Sequence, residues 1–294
     1  MSTVVIGKSG QLATELSSLT GSDTLFLGRD DIDITAAESI SSTLDALNIS
    51  NVINAAAYTA VDKAESDETA CRAVNELAVR NLAEYCKSRN LFMVHVSTDY
   101  VFSGSKGSPY LVDDLIAPQG VYGASKADGE SILLKLLPQS SCIIRTSWVY
   151  SARGNNFVKT MLRLMREKPE LSVIDDQIGS PTWAHGLAKA CLYAANTRLD
   201  GVYHWTDEGV ASWFDFATAI QRLAIEKGML KYAIPIKPIP SSEFPTPAKR
   251  PHYSVLDKSL TRLNFKEVGL KHWESQLNKM LDELHQQVQK KEQS

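Results

Sequence analysis

"TVVIGKSGQLA", residues 3–13, runs from four β-branched residues straight into a turn built on Gly7 and Gly10. β-Branched residues favour a strand, and the glycines end it at once. Gly7, Gly10 and Ala13 fall at the spacing GxxGxxA. In that spacing the first glycine permits a tight turn, and the second lets the backbone approach a pyrophosphate. The small third residue lets the next helix pack close to the strand. The start of that helix offers free N–H groups and the positive end of its dipole to a phosphate. A strand, a glycine turn and a helix in this order are the opening unit of a dinucleotide-binding α/β fold.

The rest of the chain continues the pattern. Strands are predicted at 3–6, 24–27, 51–54, 91–97, 142–147 and 171–174, and helices near 11–19, 36–47, 67–89, 123–137, 156–167 and 184–196. The strand runs are apolar without alternation, as in strands buried on both faces. Strands separated by helices imply right-handed crossovers and a doubly wound parallel sheet. Residues 234–251 hold six of the eleven prolines. Such a segment cannot be a regular helix or a central strand, and it reads as an ordered loop. An amphipathic helix is expected around 273–290, ending in the charged tail "QKKEQS". The expected architecture is a doubly wound parallel-sheet Rossmann fold with a smaller C-terminal substrate-binding subdomain. Residues 1–146 and about 183–199 would form the dinucleotide unit, and about 147–182 and 200–294 the second.

With 31 Lys and Arg against 34 Asp and Glu, the net charge of −3 provides no basic footprint for nucleic acid or an acidic membrane. No stretch reaches the roughly 18 apolar residues of a membrane span, and the first ten residues lack the regions of a secretory signal. Cys71, Cys86, Cys142 and Cys191 are isolated, with no CxxC. They read as core residues of a protein in a reducing compartment, the cytoplasm.

Three further strand ends carry chemistry. The second strand runs into "LGRDD". A carboxylate there suits the ribose 2′-OH of NAD, and Arg29 suits the 2′-phosphate of NADP. Arg29 and Asp30 are adjacent, which leaves both open, NADPH ahead of NADH. Asp33 and Ile34 could flank an adenine; Asp33 could equally cap the next helix. After the third strand, Ala55, Ala56, Ala57 and Tyr58 follow in "NAAAYTAVDKAE" (54–65), whose small residues let a nucleotide lie close. The fourth strand ends on Ser97, Thr98 and Asp99, where an open parallel sheet binds its ligands. Thr98 is a candidate hydroxyl donor to a reacting carbonyl. Tyr122 and Lys126 stand one helical turn apart and share a face. A neighbouring ammonium lowers a phenol's pKa and makes it a usable acid near neutrality.

These motifs together resemble the extended short-chain dehydrogenase/reductases, in the branch of the dTDP-4-dehydrorhamnose reductases. The resemblance rests on "GKSGQL" (7–12), "NAAAYTAVDKAE" (54–65), "VSTDYVFSG" (96–104), "YGASKADGE" (122–130), "RTSWVY" (145–150), "GNNFVKTML" (154–162), "DDQIGSPT" (175–182) and "PTPAKRPHYSVLD" (245–257). It implies reduction of the C4 ketone of a dTDP-linked 4-keto-6-deoxy sugar by NADPH or NADH. Tyr122 would protonate the new alkoxide, and Lys126 would tune Tyr122 and bind ribose. Thr98 would hold the substrate oxygen, and Asp99 a sugar hydroxyl. Gly7, Gly10, Gln11, Leu12 and Ser97 would join the cofactor contacts, and Trp148, Asn156, Gln177 and Arg250 the nucleotide-sugar pocket. Some members of the family carry magnesium at a carboxylate dimer contact. Glu15 matches one position, but His185 stands where another glutamate is expected, so no metal is expected here. The chain would be a monomer or homodimer. An epimerase or dehydratase on the same scaffold, or a non-catalytic NADP-binding regulatory subunit, are the competing readings.

Overall fold

The computed structural model describes residues 2–292. Six strands form one sheet: β1 (Thr3–Ile6), β2 (Thr24–Leu27), β3 (Asn51–Asn54), β4 (Phe92–Thr98), β5 (Ser141–Thr146) and β6 (Gly201–His204). Every pairing is parallel, in the order β6-β5-β4-β3-β1-β2. Because side chains alternate along a strand, the two faces of the sheet nucleate two cores. Val5, Ile53, Val94 and Ile144 pack with Leu12 and Leu16 of the Gln11–Leu19 helix and Leu187 of the Ala184–Thr197 helix. Val4, Val52, Met93 and Ile143 pack on the other face with Ile40, Leu82 and Leu133.

From β1 the chain winds first to β2 and then, through β3, in the opposite direction. The crevice above β1 and β3 is therefore the switch point at which such sheets bind ligands.

A separate apolar cluster joins the helices Phe157–Glu167, Trp213–Glu226 and Trp273–Glu292 around Phe216, Ile220 and Leu277. One stretch departs from the expected division. Gly201–His204, expected outside the dinucleotide unit, pairs with β5 as the sheet's edge strand. Leu171–Ile174 is a strand but stands apart from the sheet, pairing only with Ile236–Ile239. That second strand lies inside the proline-rich segment expected to be a loop. In a two-stranded pair both strands are edges, where Pro238 is tolerated. The predicted 67–89 helix is broken by a π-helical turn at Ala73–Leu77, between Glu68–Arg72 and Ala78–Ser88. The last two residues of the expected charged tail lie outside the described residues.

Candidate functional site

The turn after β1 and the ends of β2 and β3 enclose a cavity of ≈ 390 Å³. Gly7, Gly10, Arg29, Asp33, Ile34, Ala55, Ala56 and Ala57 line it. Gly7 has φ +105°, and a Cβ there would stand 2.8 Å from the Ala56 nitrogen. Only glycine meets both conditions, and the resulting cradle of backbone and methyl groups fits a dinucleotide. Of the three nearby carboxylates, Asp30 is exposed outside the cavity lining and the other two are committed. Asp31 accepts from the Gly28 N–H (2.8 Å) and the Lys8 ammonium (3.0 Å), and both hold it below the usual carboxylate range. Asp33 accepts from the Thr35 N–H (2.9 Å) and hydroxyl (2.7 Å), closing a local turn. Arg29 is exposed at the cavity's rim. Gln11, Leu12 and Tyr58 do not line the cavity. Leu12 is in the core under the sheet, Gln11 accepts from the Asn156 amide (2.9 Å), and the Tyr58 N–H donates to Asn75 (2.9 Å).

At the carboxyl end of β4 the Thr98 hydroxyl donates to Asp99 (3.0 Å) and accepts from the Tyr100 N–H (3.2 Å). It also sits beside the phenol of Tyr122, in the first turn of the Val121–Leu136 helix. Burial pushes Asp99 up to about 6, opposed by the Ser254 and Thr98 hydroxyls. Burial also holds Tyr122 above the ordinary phenol range; Thr98 opposes this and Asp99 adds to it. Lys126 is 1% exposed. Its Nζ donates to the Val96 carbonyl (2.7 Å) and lies 3.2 Å from His95 Nε2. Burial brings the amine down to about 8, with Glu130 and Cys71 opposing. The expected lowering of Tyr122 by Lys126 is therefore not the arrangement found. The amine turns to the strand, and Tyr122 is a neutral phenol whose acidity is set by burial and Thr98. The Ser97 hydroxyl is buried without a partner among the described residues.

The expected substrate residues approach from the other side. Trp148 holds a left-handed backbone at φ +48°, unusual for a bulky residue. Its ring stacks on Trp213 at 3.5 Å and 8°, and its edge lies against Gly179, where a Cβ would come within 2.7 Å. Gln177 is 7% exposed. Arg250 grips Asp62 with two nitrogens (3.0 and 2.7 Å) and neighbours Tyr100. Asn156 caps the Phe157–Glu167 helix and bonds the Ser151 carbonyl (2.7 Å), so its side chain is structural in this state.

Residues 1–286 match the family model described as RmlD substrate binding domain. The chain belongs to this family. It is 41% identical to the dTDP-4-dehydrorhamnose reductase of Aggregatibacter actinomycetemcomitans, over 86% of this chain and 90% of that one. It is 34% identical to a dTDP-4-keto-6-deoxy-D-glucose reductase of Streptomyces niveus, over 93% and 94%. Among solved structures, the Bacillus anthracis dTDP-4-dehydrorhamnose reductase in complex with NADP superimposes with a TM-score of 0.89. That pair is 34% identical, over 96% of this chain and 100% of that one.

The resemblance also raises the question of magnesium at Glu15 and His185. Here the buried Glu15 accepts from the Ser151 hydroxyl (2.6 Å) and lies 3.3 Å from His185 Nδ1. Burial raises its pKa, but the contacts from His185 and Ser151 outweigh that and hold it low. Glu283 lies near enough to feel both Glu15 and His185 and is turned to Arg153 (3.5 Å), so His185 and two engaged carboxylates offer magnesium few of the oxygens it wants. Several site neighbours had no sequence reading. Tyr100 meets Tyr122 edge-on at 5.6 Å, Asp62 holds Arg250, and Trp213 covers a face of Trp148. The helix that carries Trp213 was marked by Ser212 and Asp215, which form a capping box.

Proposed function

We propose that the chain reduces the C4 ketone of dTDP-6-deoxy-L-lyxo-4-hexulose (dTDP-4-dehydro-L-rhamnose) to dTDP-L-rhamnose with NADPH or NADH. One observation carries this reading: the Thr98 hydroxyl sits beside the neutral phenol of Tyr122 at the end of β4, with the buried Lys126 amine against the same strand, in a sheet whose first turn is a glycine cradle. When bound, the nicotinamide supplies the hydride. The backbone at Gly7 and Gly10 receives the pyrophosphate at a helix start, and Arg29 pairs with a 2′-phosphate. Thr98 holds the ketone oxygen, and Tyr122, protonated at neutral pH, gives its proton to the alkoxide as it forms. Lys126 reaches the ribose hydroxyls, and Ser97 flanks the ring. Asp99 and Gln177 meet sugar hydroxyls, Trp148 walls the 6-methyl group, and Arg250 pairs with the diphosphate. In this reading residues 1–146 and 183–204 form the dinucleotide unit, and 147–182 and 205–294 the sugar-nucleotide unit. The protein works in the cytoplasm, as a monomer or homodimer.

The Streptomyces niveus relative favours a second reading, in which the ketone is the D-sugar epimer. A coupled assay separates them. dTDP-glucose is supplied with the dehydratase alone, or with dehydratase and epimerase, and NADPH or NADH consumption is followed. Consumption only with the epimerase supports the first reading, and consumption without it supports the second. No consumption, with NAD carried through purification, points to an epimerase. NADPH binding without turnover on either ketone points to a regulatory subunit.

A further inference from the structure

Behind Lys126 lies a buried chain of side chains that the proposed reaction does not use. The Asn54 amide has one possible orientation, because its Oδ1 accepts the Ala56 N–H at 3.1 Å. Its Nδ2 therefore faces His95 Nδ1 as a donor, at 3.1 Å. An amide nitrogen only donates, so Nδ1 must accept, and the single proton of a neutral imidazole sits on Nε2. Nε2–H then points at Lys126 Nζ, 3.2 Å away.

An ammonium cannot accept that hydrogen bond, but a neutral amine can. Glu130 and Cys71 favour the ammonium, but both are bonded elsewhere. Of its possible acceptors only the Val96 carbonyl is engaged. On its own helix, Glu130 is forked onto Arg145 (2.7–3.1 Å) and Tyr122 is a neutral phenol. From the helix at Glu68–Arg72, Cys71 bonds Ser125 instead. His95 is fully buried and kept neutral by that burial, and burial also lowers Lys126.

We propose that Asn54 and His95 are positioning residues that lower the proton affinity of Lys126 in the free enzyme, so that Lys126 takes up a proton from solvent when the dinucleotide binds. The inference rests on the NADPH reading above. Ribose hydroxyls offer new acceptors to Nζ and the cofactor brings negative charge, and both favour the ammonium. Binding is then linked to proton uptake. A merely structural role for His95 predicts no such linkage.

The test is calorimetric titration of the purified protein with NADPH in Tris and in phosphate, whose ionisation enthalpies differ. Wild type is expected to take up about half a proton per site at pH 8 and close to none at pH 6, as for an amine near that pKa. Asn54→Asp should abolish the uptake. Its carboxylate accepts from both Ala56 and His95, moves the ring proton to Nδ1, and leaves Nε2 as an acceptor for an ammonium already present. His95→Gln supplies an acceptor oxygen directly and should do the same. NADPH binding to wild type at pH 8 with the same heat in both buffers would overturn this proposal alone. So would uptake in Asn54→Asp equal to wild type. Wild type that fails to bind NADPH at all would overturn the cofactor reading and this one with it.

Discussion

In the proposed reaction Tyr122 serves the chemistry and Arg29 the cofactor choice. Because burial keeps Tyr122 protonated, it would act as the acid directly, and Tyr122→Phe removes the proton while preserving the ring. Turnover should fall by about 10²–10⁴ with little change in NADPH binding; steady-state rates and NADPH fluorescence measure the two separately. Arg29 stands at the rim of a cavity whose carboxylates Asp31 and Asp33 are engaged by Lys8, Gly28 and Thr35, while Asp30 is exposed outside its lining. No free acid is left at Asp31 or Asp33 to claim a ribose 2′-OH. Arg29→Ala should raise the KM for NADPH by roughly 10–100-fold, the loss of a charged hydrogen bond, and leave that for NADH unchanged. Equal effects on both cofactors would remove Arg29 from the choice. The Thr98, Tyr122 and Lys126 set was legible because each residue sits at a strand end or at i, i+4 within one helix. The direction in which Lys126 points was not. It depends on Val96 and His95, thirty and thirty-one residues away.

The Val121–Leu136 helix carries two of the three reacting side chains, and glycines let it lie close to its neighbours. A Cβ on Gly129 would come within 2.4 Å of the Asn75 carbonyl, in the π-helical turn at Ala73–Leu77. That turn widens the backbone and aims Asn75, whose amide bonds Ser125 (3.1 Å) one position before Lys126. Gly129→Ala should destabilise the fold by about 1–3 kcal/mol through overpacking, read by urea unfolding. It should also depress kcat by displacing Tyr122 and Lys126 together. The helix itself was readable from its pattern, but the π turn was not, because nothing local distinguishes it from the α turns on either side. The helix Trp213–Glu226 was missed although its capping box was in plain sequence. Its run of aromatic residues belongs to a second apolar cluster, and the alternating rhythm of strand and helix stops before it.

Across the whole molecule, buried charge sets how stability follows pH. Asp207 is 2% exposed and accepts from the Trp183 N–H at 2.9 Å. Burial pushes it up to about 8, against the pull of that bond and of Lys258. The unfolded chain releases this proton near pH 4, while the folded chain keeps it to about 8. Between those values the folded state binds the extra proton, so stability falls as pH rises. Asp207→Asn should flatten that decline, seen as a melting temperature that changes less from pH 5 to 8 than in wild type. An unchanged slope would show that Asp207 ionises normally. By itself, the sequence determined the strands β1 to β5 and the glycine turn after β1, and it put the proposed reacting residues at a strand end and on one helix face. Each of these is encoded within one strand–turn–helix unit, where period, turn chemistry and spacing act locally. The edge strand β6, the pairing of Arg250 with Asp62 across 188 positions and the Asn54–His95–Lys126 chain were decided by tertiary structure alone. Those contacts follow from which strands become neighbours in the sheet and which loops fold over it, and packing settles that only when the whole chain has closed.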